Sequence, residues 1–153
     1  MGKTRVEVKG LRELGKALKD LGNAVGLKVS RGATAAGARV VRKQAVANIE
    51  AAPSIETGSL RDAVIVKRAG RGESSLTSEH LVTVRGRGKP YNKKGQRIAR
   101  APHAHLVEFG TVNMPAEPFL RPAYEQKKGD AVTAIAEQLA KGIDRAAKKV
   151  AVK

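Results

Sequence analysis

The period of the hydrophobic positions changes several times along this chain. Val6 and Val8 alternate with polar neighbours across residues 4–9 and predict a short strand. Leu11, Leu14, Leu18 and Leu21 then recur every three or four residues, one apolar stripe of a helix, and Gly22–Asn23 offers a stop and a new cap. A second helical stretch over 24–50 carries Val29, Ala33, Val40, Ala47 and Ile49. Its middle, GATAAGARVV, is small enough for a sheet or a neighbouring subunit to approach closely, core packing being the simpler case. Pro53 ends it, and Thr57 is placed to cap a short turn through GSLRD. AVIVK, HLVTVRG and HAHLVEF, beginning at residues 63, 80 and 103, read as three strands. After Pro122, Val132, Ile135, Leu139, Ile143 and Ala147 mark a C-terminal helix over 123–148, with Lys148 and Lys149 where positive charge suits the helix dipole.

The expected architecture is α+β: two N-terminal helices, the second long, a small mainly antiparallel sheet with an extended basic hairpin or loop, and a C-terminal helix. At 153 residues the chain is expected to form one domain over 1–153, with a mobile basic loop at 85–101 inside it.

Composition narrows the chemistry. The chain has no cysteine, so neither a disulfide framework nor a thiolate metal site is available. No apolar run approaches a membrane span and the N-terminus lacks a signal-peptide core, so no membrane partner is expected. Lys and Arg number 30 against 14 Asp and Glu, a formal charge of +16, which predicts attraction to polyanions. With two Tyr, two Phe and no Trp, a base-stacking platform is not on offer. Contact with nucleic acid is then expected through phosphate. The densest charge is RGRGKPYNKKGQRIAR, where Arg85, Arg87, Lys89, Lys93, Lys94, Arg97 and Arg100 occur without one acidic residue. As a hairpin arm of eight residues a side it would reach roughly 25 Å. It would order on DNA phosphates or on an acidic neighbour, or remain a solvated loop.

Catalytic constellations are weak. GKT at Gly2–Thr4 lacks the earlier glycine and the strand of a phosphate-binding loop. The serines sit in polar turns without a nucleophile-elbow pattern, and Glu50, Glu56 and Asp62 are acids of the kind that helix ends and turns favour. On a strand His103 and His105 would share a face and could meet one ion, but Glu108 would lie on the other face, beside Ala104 and Leu106. The expectation is no enzyme, no metal and no cofactor, a metal-dependent nuclease being the enzymatic alternative. Glu108 itself stands between Val107 and Phe109. If buried it needs a partner, for which Arg121 is the candidate; otherwise it is an exposed edge-strand carboxylate.

Three of the four aromatic residues and two of the three histidines fall between His103 and Glu125. Within this stretch Val107, Glu108, Phe109, Gly110 and Thr111 precede Pro115, Ala116, Pro118, Phe119, Leu120, Arg121, Pro122 and Ala123. Upstream stand Ala52, Pro53, Thr57, Gly58 and Leu60. Together these motifs resemble the signature of tail-completion or neck proteins, the small head–tail junction components of long-tailed phages and prophages. His103-Ala104-His105 departs from the Tyr-Ala usual there. The resemblance implies a structural virion protein, assembled in the host cytoplasm and forming a homo-oligomeric ring, a hexamer by expectation, through which DNA passes. Its neighbours would be connector and tail-terminator proteins. The 107–111 and 115–122 motifs would then serve assembly, with Phe109 covering the subunit's own core and Phe119 and Leu120 left open between that core and a neighbour. The competing expectation is a freestanding cationic DNA-binding protein without sequence specificity.

Overall fold

The computed structural model describes residues 12, 16, 19, 23–52, 58–69, 77–88, 91 and 94–151, with Asn23, Ala24 and 149–151 described by backbone alone. The architecture is α+β, as expected. Helix α1 spans Asn23–Ala51 and the short α2 Gly58–Ala63; strands β1 (Val64–Arg68) and β2 (His80–Val84) pair antiparallel; α3 spans Ala104–Phe109 and α4 Leu120–Ala151. The predicted strand at 4–9, the leucine stripe, Pro53 and Thr57 lie outside the described residues, although Arg12, Lys16 and Lys19 are helical and exposed. No helix among the described residues is long and apolar enough to cross a membrane.

Two compact units divide the chain, one built from 1–37, 68–80 and 129–153 and the other from 38–67 and 81–128. In the first, the small residues of α1 do what their pattern requires, against a helix rather than a sheet. A Cβ on Gly37 would stand 2.7 Å from the Ile135 side chain, and one on Gly142 2.6 Å from Val29. Glycine at both positions lets α1 and α4 come together, with Ala33 fully buried and Ala131 and Ala146 nearly so. Two hydroxyls on this surface bond back to the helix: Ser30 Oγ donates to the Gly26 carbonyl at 2.9 Å and Thr34 Oγ1 to that of Ser30 at 3.0 Å. Thr34 Oγ1 also lies 2.8 Å from His80 Nδ1.

The second unit holds the main core: Ala45, Ile49, Leu60, Val64, Ala104, Phe119 and Ala123, with Val41, Val82, Val84, Val107 and Leu120 packed around it. Phe119 and Val64 are its largest fully buried side chains. Arg42 Nε donates to the Val64 carbonyl at 2.7 Å, fixing the entry to β1 against α1.

One predicted element changes type. HAHLVEF is not a third strand; Ala104–Phe109 is a helix. A short apolar run fits either period, and here the i, i+3 and i+4 spacing places Ala104, Val107 and Glu108 on one side, with Ala104 buried in the core. The C-terminal helix also begins earlier than the 123 expected from Pro122, because proline is tolerated in a first turn and the free amides there find an acceptor elsewhere in the chain.

Candidate assembly site

The densest motif of the sequence folds into a small rigid frame joining α3 to α4. Phe119, the residue before α4, has no side-chain acceptor with which to cap it. Glu108 on α3 supplies one. Its Oε2 accepts from the backbone N–H of Phe119 at 2.8 Å and of Leu120 at 2.9 Å, and its Oε1 from that of Arg121 at 3.0 Å. The fourth residue of the turn is Pro122, which has no N–H. One carboxylate thereby satisfies every amide that the first turn leaves open, with its charge at the positive end of the helix dipole. From α1, Asn48 Nδ2 donates to the Phe119 carbonyl at 3.0 Å, and Gln44 Nε2 holds the Asn48 Oδ1 at 2.9 Å.

Arg121 is therefore a partner of Glu108 through its backbone alone, a correction to the expected side-chain pair, and its side chain is exposed. Sequence reasoning missed Asn48 and Gln44 altogether. The signal it had was negative: a helix start reading PFLRPA has no Ser, Thr, Asp or Asn of its own, so an acceptor had to come from elsewhere.

Between α3 and α4 the chain makes a tight turn. Gly110 sits at φ 74° and ψ −179°, a conformation that only glycine adopts readily, and a Cβ there would meet Ala116 N at 2.8 Å and Met114 O at 2.9 Å. Thr111 N donates to Met114 O at 2.8 Å, closing a turn with Val112 and Asn113 at its tip, and Glu117 N donates to Val107 O at 2.9 Å. This knuckle presents apolar side chains to solvent: Phe109 is 70% exposed, Val112 103% and Met114 38%. The expected place of Phe109 in the subunit's own core is thus corrected, since it lies outside, while Phe119, whose place the sequence leaves open, fills the core at 1% exposure. Thr111, Pro115, Ala116 and Pro118 are exposed, while Val107, Leu120 and Pro122 are half-buried.

The basic segment is fastened at both ends. Arg85 N donates to Ala63 O and Ala101 N to Arg85 O, each at 2.9 Å. Among the described residues between them, an antiparallel bridge joins Tyr91 and Arg97. Arg87, Lys94 and Arg97 are exposed, Arg85 and Arg100 are half-buried, and Arg100 Nη1 donates to Gly88 O at 2.7 Å. Lys89 and Lys93 lie outside the described residues. Arg97 and Arg100 also line a cleft of about 630 Å³ with Ser59 and Asp62.

The geometry at α3 removes the premise of a shared histidine face, which needs extended backbone: His103 stands just before the helix at φ −93° and ψ 9°, and His105 lies in its first turn. Both His103 and His105 are exposed, and no group of three or more potential metal ligands occurs among the described residues. Of the three acids considered together, Glu56 lies outside the described residues, and Asp62 and Glu50 approach Arg61 at 3.0 and 3.7 Å. The hydrogen bond and charge of Asp62 raise the Arg61 pKa.

A family model described as "Bacteriophage HK97-gp10, putative tail-component" matches residues 12–110, well over half of the chain. The chain belongs to this HK97-gp10-like family. It is accordingly a structural phage tail component, associated with the virion and its other proteins. The matched region takes in α1, both strands and α3, and ends at Gly110, so the capping glutamate of this tail component lies inside it and the capped helix beyond it. No curated protein and no solved structure matches the chain.

Proposed function

We propose that this tail component completes the head–tail junction as a non-enzymatic neck protein, forming a ring, in the simplest case of six copies, through which DNA passes. The observation that carries the reading is the knuckle. Apolar side chains as exposed as Phe109 and Val112 are costly on a free monomer, and here they ride on backbone held rigid by the Glu108 cap and by Gly110. A preorganised apolar projection loses little entropy on docking, which suits repeated contact between identical subunits. The knuckle and the 115–122 segment behind it then act as the assembly motif, while Phe119 and Leu120 serve the subunit's own fold. Connector and tail-terminator proteins are the expected neighbours above and below, the ring being built in the host cytoplasm and retained in the virion. The basic segment from Arg85 to Arg100 faces either the DNA, touching phosphates without reading sequence, or an acidic surface on a neighbouring ring.

The test is particle mass by light scattering after size exclusion, at low and high salt. A discrete ring-sized species, favoured by salt because the subunits repel one another at +16 each, is the expected result. Monomer under both conditions, also with duplex DNA added, would overturn the ring.

A further inference from the structure

A ring built from one kind of subunit by a head-to-tail contact needs two different surfaces, a projection and a receptor. The knuckle is a projection. The receptor has its own signature in the first unit, where the beginning of α1 and the last turns of α4 enclose a groove of about 520 Å³. Its floor is apolar, made by Val25, Val29, Gly32, Gly142 and Ala146. The close approach of Gly142 to Val29 fixes the two helices, while a Cβ on Gly32 would meet nothing within 4 Å, so space remains beside it. Val25 is 42% exposed. Lys28, Arg145 and Lys148 form the rim, and none has an ion-pair partner among the described residues.

Charge selects the occupant. Throughout this +16 chain cations are dense, yet the segment from Ala101 to Leu120, with the knuckle near its middle, contains no Lys or Arg and carries Glu108 and Glu117. It is the longest stretch of the sequence free of Lys and Arg. Two copies repel each other over most of their surfaces, but an apolar projection from a segment without Lys or Arg can enter an apolar, cation-rimmed groove without adding to that repulsion. We infer that the Phe109–Met114 knuckle of one copy docks in the Val25–Gly32–Gly142 groove of the next, making the head-to-tail contact of the ring. This rests on the ring reading above and adds which two surfaces meet.

The absence of cysteine from the chain makes the test clean. Val25→Cys and Val112→Cys are prepared as separate proteins, mixed and gently oxidised. The expected product is a disulfide-linked dimer of the two different variants, and the double variant should give a ladder that stops at the ring size. Val112→Cys mixed with Thr133→Cys, on an exposed position of α4, should give only background. Gly32→Leu, which fills the groove at an open helical position, should keep the helical signal and abolish the cross-link. A cross-link no stronger than the Thr133→Cys background overturns the docking. If the wild type is then still ring-sized by light scattering, only the choice of surfaces has failed. If it is monomeric as well, the ring reading fails with it.

Discussion

At the scale of single residues the frame rests on one carboxylate and one glycine. Glu108 receives three backbone amides, whereas Arg121 contributes only its own N–H, so their substitutions should diverge. Glu108→Ala strands those amides and removes a favourable charge at the helix start; loss of about 2 kcal/mol is expected, from ordinary capping losses strengthened by charge. Arg121→Ala should stay within about 0.5 kcal/mol, as for other exposed substitutions. Urea denaturation of the two variants decides the matter, and a larger loss for Arg121→Ala would show that its guanidinium matters after all. Gly110→Ala forces a side chain into an extended positive-φ conformation against Met114 O and Ala116 N. A cost on the order of 2 kcal/mol follows from the backbone strain alone. Its signature should be broader than stability. A displaced knuckle should also weaken assembly at protein concentrations where the monomer remains folded.

At the scale of elements, the glycines of α1 behave in opposite ways although the sequence writes them alike. Gly32 faces open space and Gly37 faces Ile135 and the Ala131 carbonyl. Gly32→Ala should therefore stabilise by about 0.5–1 kcal/mol through helix propensity, and Gly37→Ala should destabilise by about 1 kcal/mol or more through overpacking. Thermal melts of the two variants, shifted in opposite directions, would bear this out; equal shifts would mean that α4 does not approach α1 so closely. The same contrast marks what was legible in advance. The Ala and Gly run told that something packs closely on α1, but not that the partner is α4, because composition carries no address. Apolar periodicity placed α1, β1, β2 and α4 within a few residues. It failed at 103–109, where seven residues satisfy a strand and a helix equally and tertiary burial of Ala104 decides. That error propagated to the site. With a strand assumed, the histidines shared a face; with a helix from Ala104 they do not. Glu108 was recognisable as a carboxylate in need of a partner, but an acceptor that serves backbone amides eleven to thirteen residues ahead leaves no side-chain pattern to read.

For the whole molecule the question is how so cationic a chain tolerates its own copies. Six subunits at +16 each would concentrate a net charge of roughly +100 in one ring, and such repulsion has to be offset by counterions or by a polyanion before apolar contacts at the knuckle can hold. Salt and DNA both offset it, but not in the same way. Salt screens every exposed charge alike, whereas duplex DNA acts only on the charges it touches and releases its condensed counterions as it binds. If the segment from Arg85 to Arg100 faces the DNA, replacing Arg85, Arg87, Lys93 and Lys94 by Ala should weaken duplex binding equally for unrelated sequences. The slope of log K against log salt should then fall by about one for each phosphate that the variant no longer neutralises. Ring formation by the same variant should become less dependent on salt, since four positive charges per subunit are gone. If the segment instead rests on an acidic neighbour, duplex binding by the isolated protein should be unchanged while the joining of heads to tails in an assembly extract is abolished. Both measurements use one variant and one wild-type control. Unchanged duplex binding together with unimpaired joining would leave the segment without either role, and the +16 charge would then act through other surfaces.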